Sequence, residues 1–234
     1  MNGPDMKYIV DPQPPVCLPV LGQEALFPVH RVYCVGQNYA DHAREMGGSP
    51  EREAPFFFSK PADAVICEAT VPYPRRTADL HHEVELVVAL GSGGSNVAAS
   101  ETPSMIFGYA VGVDLTRRDL QASAKQHRRP WDVAKGFDNS APVSAIMPVS
   151  SCGHRQTGAI SLSVNGSERQ KGDLSQMIWN VAEVLAELST YYDLAAGDLI
   201  FTGTPAGIGT LEPGDHVECR IEGVGSLAFT LDSA

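Results

Sequence analysis

Apolar residues occur mainly in short runs along the chain, a pattern that predicts many strands and few helices. The clearest strand is HHEVELVVAL at residues 81–90, which ends abruptly at a GSGG turn. A second strand, IFGYAVGVDL, covers residues 106–115. Shorter strands are predicted at residues 29–35, in PFFFSKP and in the glycine-rich segment from Gly197 onwards. Asn165-Gly166, within ISLSVNGSERQ, is a strong short signal for a hairpin turn.

The best helical pattern covers residues 175–191, with Ser175 as its expected N-cap. Its apolar stripe consists of Ile178, Val181, Leu185 and Leu188. A shorter helix is predicted at residues 39–46, capped by Asn38 and followed by Gly47, and TRRDLQASAKQ is also helical in character. These elements predict a β-rich α+β fold with few short helices.

Composition is typical of a globular domain, with 43% hydrophobic residues in a chain of 234. Residues 1–28 contain six prolines and are expected to form an N-terminal arm or a small edge element. Residues 29–234 are expected to form a single domain, because a chain of this length suits one domain.

The formal net charge of −11 argues against nucleic acid and anionic membranes as partners, because such a surface repels phosphates. No apolar run approaches the ~18 residues that span a bilayer, and the polar N-terminus does not resemble a signal peptide. Five scattered cysteines, none in a C-x-x-C pair, indicate reduced thiols. We therefore expect a cytoplasmic protein.

Two carboxylates, Glu83 and Glu85, alternate with apolar residues in the strand at 81–90 and so share one face. Asp114 ends the next apolar strand, where scaffolds often present chemistry. Buried carboxylates repel one another unless a cation compensates them, and Mg²⁺ prefers oxygen ligands. The pattern fits a divalent-metal site, while a solvated strand face is the alternative that spacing alone leaves open.

His42 and Glu45 are three residues apart in the predicted helix at 39–46 and therefore lie on one of its faces. A carboxylate beside an imidazole fixes its tautomer and suits it to activate water. The following Gly47-Gly48 allows a hinge, so this helix is a candidate lid. An ordinary His–Glu contact on an exposed helix is the alternative.

Basic residues concentrate between Arg117 and Lys135, which hold six of the 17 lysines and arginines. Such an island on an acidic protein favours a small carboxylate ligand, although a solvated helix face explains Arg128 and Arg129 equally well. The turn FTGTPAGIG lacks a P-loop lysine, which argues against nucleotide binding. Its backbone amides and Thr204 are candidate donors to a carboxylate.

The order of the motifs resembles the fumarylacetoacetate hydrolase family from about residue 29 to the C-terminus. The motifs that carry this resemblance are GQNYADHAREM, PFFFSKPADAV, DLHHEVELVVAL, GYAVGVDLTRRDLQ, PWDVAKGFDNSAP and GDLIFTGTPAGIG. The chain is most similar to the family's fumarylpyruvate hydrolase and acylpyruvase branch. The resemblance implies a mixed β-sandwich roll, a homodimer, and one Mg²⁺ or Mn²⁺ per subunit.

The resemblance also implies roles for individual residues. Metal ligands would be Glu83, Glu85 and Asp114; catalytic residues would be His42, Glu45, Lys135 and Gln121; substrate-binding residues would be Arg118, Thr204 and Lys60. One position departs from the family pattern: Gln37 stands where many relatives carry arginine, which bears on the identity of the substrate.

The implied activity is metal-dependent hydrolysis of a carbon–carbon bond in an acylpyruvate. Fumarylpyruvate, cleaved to fumarate and pyruvate in gentisate-type aromatic catabolism, is the first expected substrate. Arg128 and Arg129 are the candidate partners of its second carboxylate. Isomerisation and decarboxylation of 2-hydroxyhepta-2,4-diene-1,7-dioate, or decarboxylation of oxaloacetate, would use the same site. A non-catalytic metal-binding scaffold would have no use for a water-activating His42.

Overall fold

Two large sheets dominate the computed structural model, which describes residues 7–47 and 52–232. Its strands are β1 (Cys17–Leu18), β2 (Phe27–Pro28), β3 (Val32–Gly36), β4 (Phe56–Lys60), β5 (Val65–Ile66), β6 (Thr70–Pro72), β7 (Leu80–His82), β8 (Val84–Leu90), β9 (Ile106–Val113), β10 (Thr116–Arg117), β11 (Ala141–Pro142), β12 (Met147–Pro148), β13 (Ala159–Val164), β14 (Ser167–Asp173), β15 (Leu199–Phe201), β16 (Gly209–Leu211), β17 (His216–Ile221) and β18 (Gly225–Asp232). Its helices are α1 (Ala40–Glu45), α2 (Arg118–Gln126), α3 (Asp132–Lys135), α4 (Val149–Cys152) and α5 (Val181–Tyr191), with short 3₁₀ turns at Ala62–Ala64, Thr102–Met105 and Leu174–Gln176.

The six-stranded sheet has the order β12-β9-β8-β15-β3-β4, and the five-stranded sheet has the order β14-β13-β17-β18-β6. A three-stranded sheet, β10-β7-β16, and two strand pairs, β1-β2 and β11-β5, complete the pairing. This strand-rich arrangement confirms the predicted α+β fold. None of the helices within the described ranges is long and apolar enough to cross a membrane.

Strand β8 lies inside the six-stranded sheet and is buried on both faces, which explains its nearly continuous apolar sequence. Val84, Leu86 and Val88 face the larger core cluster, which also contains side chains of β13, β17, β18 and α5. Val87 and Ala89 face a second cluster. Glu85 belongs to this second face by strand alternation, as the sequence predicted.

The second cluster includes residues of the N-terminal segment. Leu18 of β1 and Phe27 of β2 are buried there, and the two strands pair antiparallel. This packing covers the outer face of the six-stranded sheet. The division of the chain at residue 28 stays a prediction.

The prediction of one strand over residues 81–90 was wrong, because the strand is interrupted at Glu83. β7 pairs with β10 and β16, whereas β8 pairs with β9 and β15. The carbonyl of Glu83 accepts a hydrogen bond from the amide of Asp114 at 2.8 Å. Glu83 thus lies at a corner where the chain passes from one sheet to another.

The predicted start of the long helix was also wrong. Helix α5 begins at Val181, because Asn180 and Glu183 form a capping box. Ser175 belongs instead to the separate 3₁₀ turn, whose N-cap Asp173 accepts a hydrogen bond from the Ser175 amide. The end of the helix at Tyr191 was confirmed.

Asn38 does not cap helix α1, contrary to the prediction, since Tyr39 occupies the N-cap position without a side-chain cap. The Asn38 amide instead donates to the carbonyls of Trp179 and Thr202 and accepts from the amide of Trp179, all within 2.9 Å. It joins the start of α1 to two distant segments. Helix α2 and the hairpin at Asn165-Gly166, with φ of 51° and 75°, were both confirmed.

Candidate active site

Three buried carboxylates converge where strands β7, β8 and β9 meet. Glu83 lies between β7 and β8, Glu85 is the second residue of β8, and Asp114 directly follows β9. The antiparallel pairing of Val84 with Val113 brings the ends of β8 and β9 side by side. One oxygen of each carboxylate lies within 4.8 Å of the others, and the three residues are at most 5% exposed. We refer to these three residues as the acidic corner.

Cations on neighbouring elements offset two of the three charges. Lys135 Nζ donates to Glu83 Oε2 at 2.8 Å and to Asp114 Oδ2 at 2.7 Å. Lys60 Nζ forms an ion pair with Asp114 Oδ1 at 2.8 Å, and Arg118 forms one with Glu83. Burial alone would raise the pKa of Glu83, but Lys135 and Arg118 hold that pKa below its usual range.

The charge of Glu85 is stabilised by fewer neighbouring groups than the charges of the other two acids. Its Oε2 accepts a hydrogen bond of 2.6 Å from the amide of Gly203. Burial raises the pKa of the Glu85 carboxyl well above its usual range, and the charges of Asp114 and Glu83 add to the effect. An all-oxygen donor set with this uncompensated repulsion fits a hard divalent cation.

His42 faces the same cavity from helix α1. Its side chain is buried, and its Nδ1 lies 3.1 Å from Glu45 Oε2. Because an ionised carboxylate only accepts, Nδ1 carries a proton, and in the neutral imidazole the lone pair therefore lies on Nε2. The amide of Gly207 donates to Glu45 at 3.2 Å. Of the two glycines in the predicted Gly47-Gly48 hinge, Gly48 lies outside the described residues.

The remaining predicted site residues divide into two groups. Arg118, Gln121, Thr204 and Lys135 line the cavity. Lys60 does not line it: its side chain is fully buried behind Asp114, and it donates to the carbonyls of Leu115 and Lys135.

Arg128 and Arg129 do not line the cavity of the acidic corner, and their expected role beside a second carboxylate stays a prediction. Both are exposed, and they follow the end of α2 at Gln126. Arg129 borders an adjoining aromatic cavity together with Trp131. Lys125 does line the main cavity, beside Arg118 and Lys135, and its pKa is lowered by partial burial and by Arg118.

In the sequence, Lys125 is only one of the basic residues between Arg117 and Lys135. A sharper signal was available, because Arg118, Gln121 and Lys125 are spaced i, i+3, i+7 and so share one face of α2. Phe56, Phe58 and Trp131 form the apolar wall opposite, and they too were not predicted as site residues. Gln37 lines the cavity with a φ of 55°.

Comparison with known proteins gives a family match over most of the chain. The family model described as fumarylacetoacetate (FAA) hydrolase C-terminal matches residues 31–232. A fumarylpyruvate hydrolase of Ralstonia sp is 44% identical over 183 residues, which is 78% of this chain and 95% of that protein. An oxaloacetate tautomerase of Escherichia coli K12 is 40% identical over 200 residues, which is 84% of this chain and 90% of that protein.

Among solved structures, the chain is similar to a fumarylpyruvate hydrolase from Pseudomonas aeruginosa in complex with Mn²⁺ and pyruvate. The TM-score is 0.94 at 46% sequence identity, and the match covers 97% of this chain and 100% of that chain. A metal-bound relative and the carboxylate geometry described above together support a divalent metal in the acidic corner.

Proposed function

The chain belongs to the fumarylacetoacetate hydrolase family and is a hydrolase that acts on carbon–carbon bonds, and we propose that its substrate is fumarylpyruvate. The products would be fumarate and pyruvate. The observation that carries this proposal is one cavity lined both by three clustered carboxylates and by His42, whose Nδ1 is held by Glu45. This cavity combines a site for an anionic 2-oxo acid with a group that can activate water.

Glu83, Glu85 and Asp114 are the proposed ligands of one Mg²⁺ or Mn²⁺ per subunit, as both ions accept oxygen ligands. When bound, such a cation supplies Lewis-acid polarisation of the oxygens of a 2-oxo acid.

His42 is the proposed general base. Its Nε2 takes a proton from water, which attacks the carbonyl carbon of the acyl group, and the bond between that carbon and the pyruvate methylene then breaks. Glu45 accepts from Nδ1 throughout and stabilises the imidazolium that forms. The proton on Nε2 is then available to the departing pyruvate carbon, which completes a balanced hydrolysis.

Positive charge from this chain lies beside the reacting atoms. Burial lowers the pKa of Lys135, but Asp114 and Glu83 outweigh it and raise the pKa, so the Lys135 ammonium stays charged. The Arg118 side chain donates to Gln121 Oε1 at 2.5 Å, and both line the cavity. We assign Lys135 and Gln121 to charge stabilisation and Arg118 to substrate binding.

Thr204 is a proposed hydrogen-bond donor to the substrate carboxylate. Lys60, first expected to bind substrate, is better placed to orient Asp114, with which it forms a fully buried ion pair. At the acyl end of the cavity, we propose Lys125 as the partner of the fumaryl carboxylate. The apolar carbons of the acyl chain would lie against Phe56, Phe58 and Trp131.

A second candidate is enolisation or decarboxylation of oxaloacetate. Relatives at 40% and 37% identity are named oxaloacetate tautomerase and oxaloacetate decarboxylase. Isomerisation of a 2-hydroxy-dienedioate stays a further alternative on the same site. A non-catalytic scaffold is disfavoured, because His42 faces the cavity with its tautomer fixed.

The test is the ultraviolet absorbance of the fumarylpyruvate enol, followed with purified protein in the presence and absence of Mn²⁺ or Mg²⁺. Loss of the band only with metal, with fumarate and pyruvate in equal amounts, would establish the proposal. A stable band with metal present would exclude fumarylpyruvate. Oxaloacetate, tested in parallel for loss of enol and for release of CO₂, would then distinguish the second candidate.

We also propose a homodimer in the cytoplasm. Aromatic residues in and beside the adjoining aromatic cavity are exposed, with Phe56 at 40%, Tyr191 at 62% and Tyr192 at 42%, and such clusters often mark a protein contact. Sedimentation velocity would check the dimer, since a species of single-chain mass would contradict it.

A further inference from the structure

A fully buried glutamine on β14, Gln170, connects the acidic corner to the turn that contains Thr204. Its Oε1 accepts from the amide of Val84 at 3.1 Å and lies 2.9 Å from His82 Nδ1. Its Nε2 donates to Thr204 Oγ1 and to the carbonyl of Pro205, both at 2.8 Å. All four hydrogen-bonding positions of this side chain are therefore used.

The orientation of this amide follows from two partners whose roles are fixed. The Val84 N–H can only donate and the Pro205 carbonyl can only accept. A reversed amide would oppose two donors at Val84 and two acceptors at Pro205. Gln170 must therefore present its NH₂ group to Thr204, and His82 must carry a proton on Nδ1.

The orientation of the Gln170 amide determines the hydrogen bond that the Thr204 hydroxyl can make. Its oxygen accepts from Gln170, so its own proton must be donated to a different group. Across residues 7–47 and 52–232, Gln170 is the partner recorded for Thr204 Oγ1. Thr204 lines the cavity, and no protein acceptor for its hydroxyl proton lies within hydrogen-bond distance among the described residues, so a ligand bound in the cavity can accept that proton.

We infer that Gln170 is a positioning residue that makes Thr204 a hydrogen-bond donor to the carboxylate of a bound 2-oxo acid. This inference rests on the proposed 2-oxo acid site, although it does not require fumarylpyruvate itself. Gln170 touches no substrate. It acts by occupying the acceptor side of the threonine, which leaves a donor directed into the cavity.

Gln170 also holds the backbone on both sides of Glu83, through His82 and Val84, so a purely structural role is the rival explanation. Three variants separate the two. Thr204→Val removes the donor, Thr204→Ser keeps it, and Gln170→Glu keeps the acceptor for Val84 while replacing the NH₂ with an oxygen that accepts the threonine proton.

The measurement is the Kd of pyruvate by calorimetry on Mn²⁺-loaded protein, with Mn²⁺ affinity and Tm recorded for each variant. Loss of a hydrogen bond to a charged carboxylate is expected to weaken pyruvate binding about tenfold in Thr204→Val and in Gln170→Glu. Thr204→Ser is expected to bind as the unaltered protein does. The double variant Gln170→Glu/Thr204→Val is expected to be no weaker than Thr204→Val alone.

An additive loss in the double variant would overturn the inference in favour of a structural role. Unchanged pyruvate affinity in Gln170→Glu would overturn it as well. Should Gln170→Glu fail to fold, Gln170→Leu takes its place; if neither folds, a Thr204→Val protein that binds pyruvate normally would still refute the donor. Pyruvate that does not bind the unaltered protein would also refute it, whereas failure to hydrolyse fumarylpyruvate would affect only the proposed function.

Discussion

The acidic corner and the His42–Glu45 pair face the same cavity, but the fold holds them in different ways. The acidic corner is built on paired strands of the central sheet, and each of its carboxylates has a donor or cation within 2.8 Å. The His42–Glu45 pair lies on α1, a helix of six residues. Among the described residues, a hydrogen bond of 3.2 Å from the Gly207 amide to Glu45 links the pair to the turn that contains Thr204.

This difference separates binding from chemistry. The carboxylates of the acidic corner take their positions when the strands pair, so the same residues should determine both ligand affinity and stability. His42 lies on a short helix rather than in the sheet, so its side chain can be replaced without a change in the strand register. Substitutions in the acidic corner should therefore alter folding and metal binding, while substitutions in the pair should alter turnover alone.

The largest effect is expected for Asp114→Asn. Lys60 and Lys135 would lose a buried counter-charge, which should lower the free energy of unfolding by about 3–5 kcal/mol. Mn²⁺ binding and hydrolysis should fall to background. Urea unfolding and calorimetry measure both quantities. Asp63→Asn, which changes an exposed carboxylate, is the matched control and should stay within ~0.5 kcal/mol.

A result that would break the comparison is an Asp114→Asn protein with unaltered stability and metal affinity but reduced turnover. The acidic corner would then behave as catalytic machinery rather than as a preformed binding site.

His42→Ala should lower kcat by about 10²–10⁴-fold, the usual contribution of a general base. Mn²⁺ affinity and pyruvate affinity should be unchanged, because the acidic corner does not depend on α1. Steady-state kinetics with calorimetry on the same preparation checks the split. His127→Ala, an exposed histidine at the C-cap of α2, is the control. Near-full activity in His42→Ala would remove this residue from the mechanism.

The two regions also differ in how far the sequence predicts them. Alternation along a strand places Glu83 and Glu85 on one side, and an i, i+3 spacing places His42 beside Glu45. Both predictions depend only on residues that are close together in the sequence. The distance between Glu85 and Asp114 depends instead on the register of β8 with β9, and the interruption at Glu83 has no glycine or proline to signal it.

Contacts between distant segments were the least predictable part. Lys60 reaches Asp114 across 54 positions, from residue 60 to residue 114, and Gln170 lies in the polar stretch SERQKGD, which gives no hint of a buried side chain. The α5 start, by contrast, had a readable signal in Asn180 and Glu183, which match a capping box. The apolar stripe led to a predicted helix start that was too early, because Ile178 continues the stripe beyond the N-terminus of α5.

Glu45→Gln tests how far the activity of His42 as a general base depends on its partner Glu45. A neutral amide oxygen can still accept from Nδ1, but such a bond is roughly half as strong as a charge-assisted one. We expect kcat to fall about tenfold with little change in KM. Glu218→Gln, an exposed carboxylate on β17, is the control. A loss as large as that of His42→Ala would show that the two residues act as one unit.

The smallest effect is expected for Lys125→Met, and it refines the binding side of the comparison. Lys125 is exposed at the cavity wall, so its contact with a distal carboxylate should contribute about 1 kcal/mol, or roughly a fivefold rise in KM for fumarylpyruvate. Acetylpyruvate has no distal carboxylate, and its KM should not change. Lys171→Met, which removes an exposed lysine on β14, should leave both values unaltered. An equal rise for both substrates would instead place Lys125 at the 2-oxo acid end of the cavity, beside Arg118. The distal carboxylate of fumarylpyruvate would then have no assigned partner.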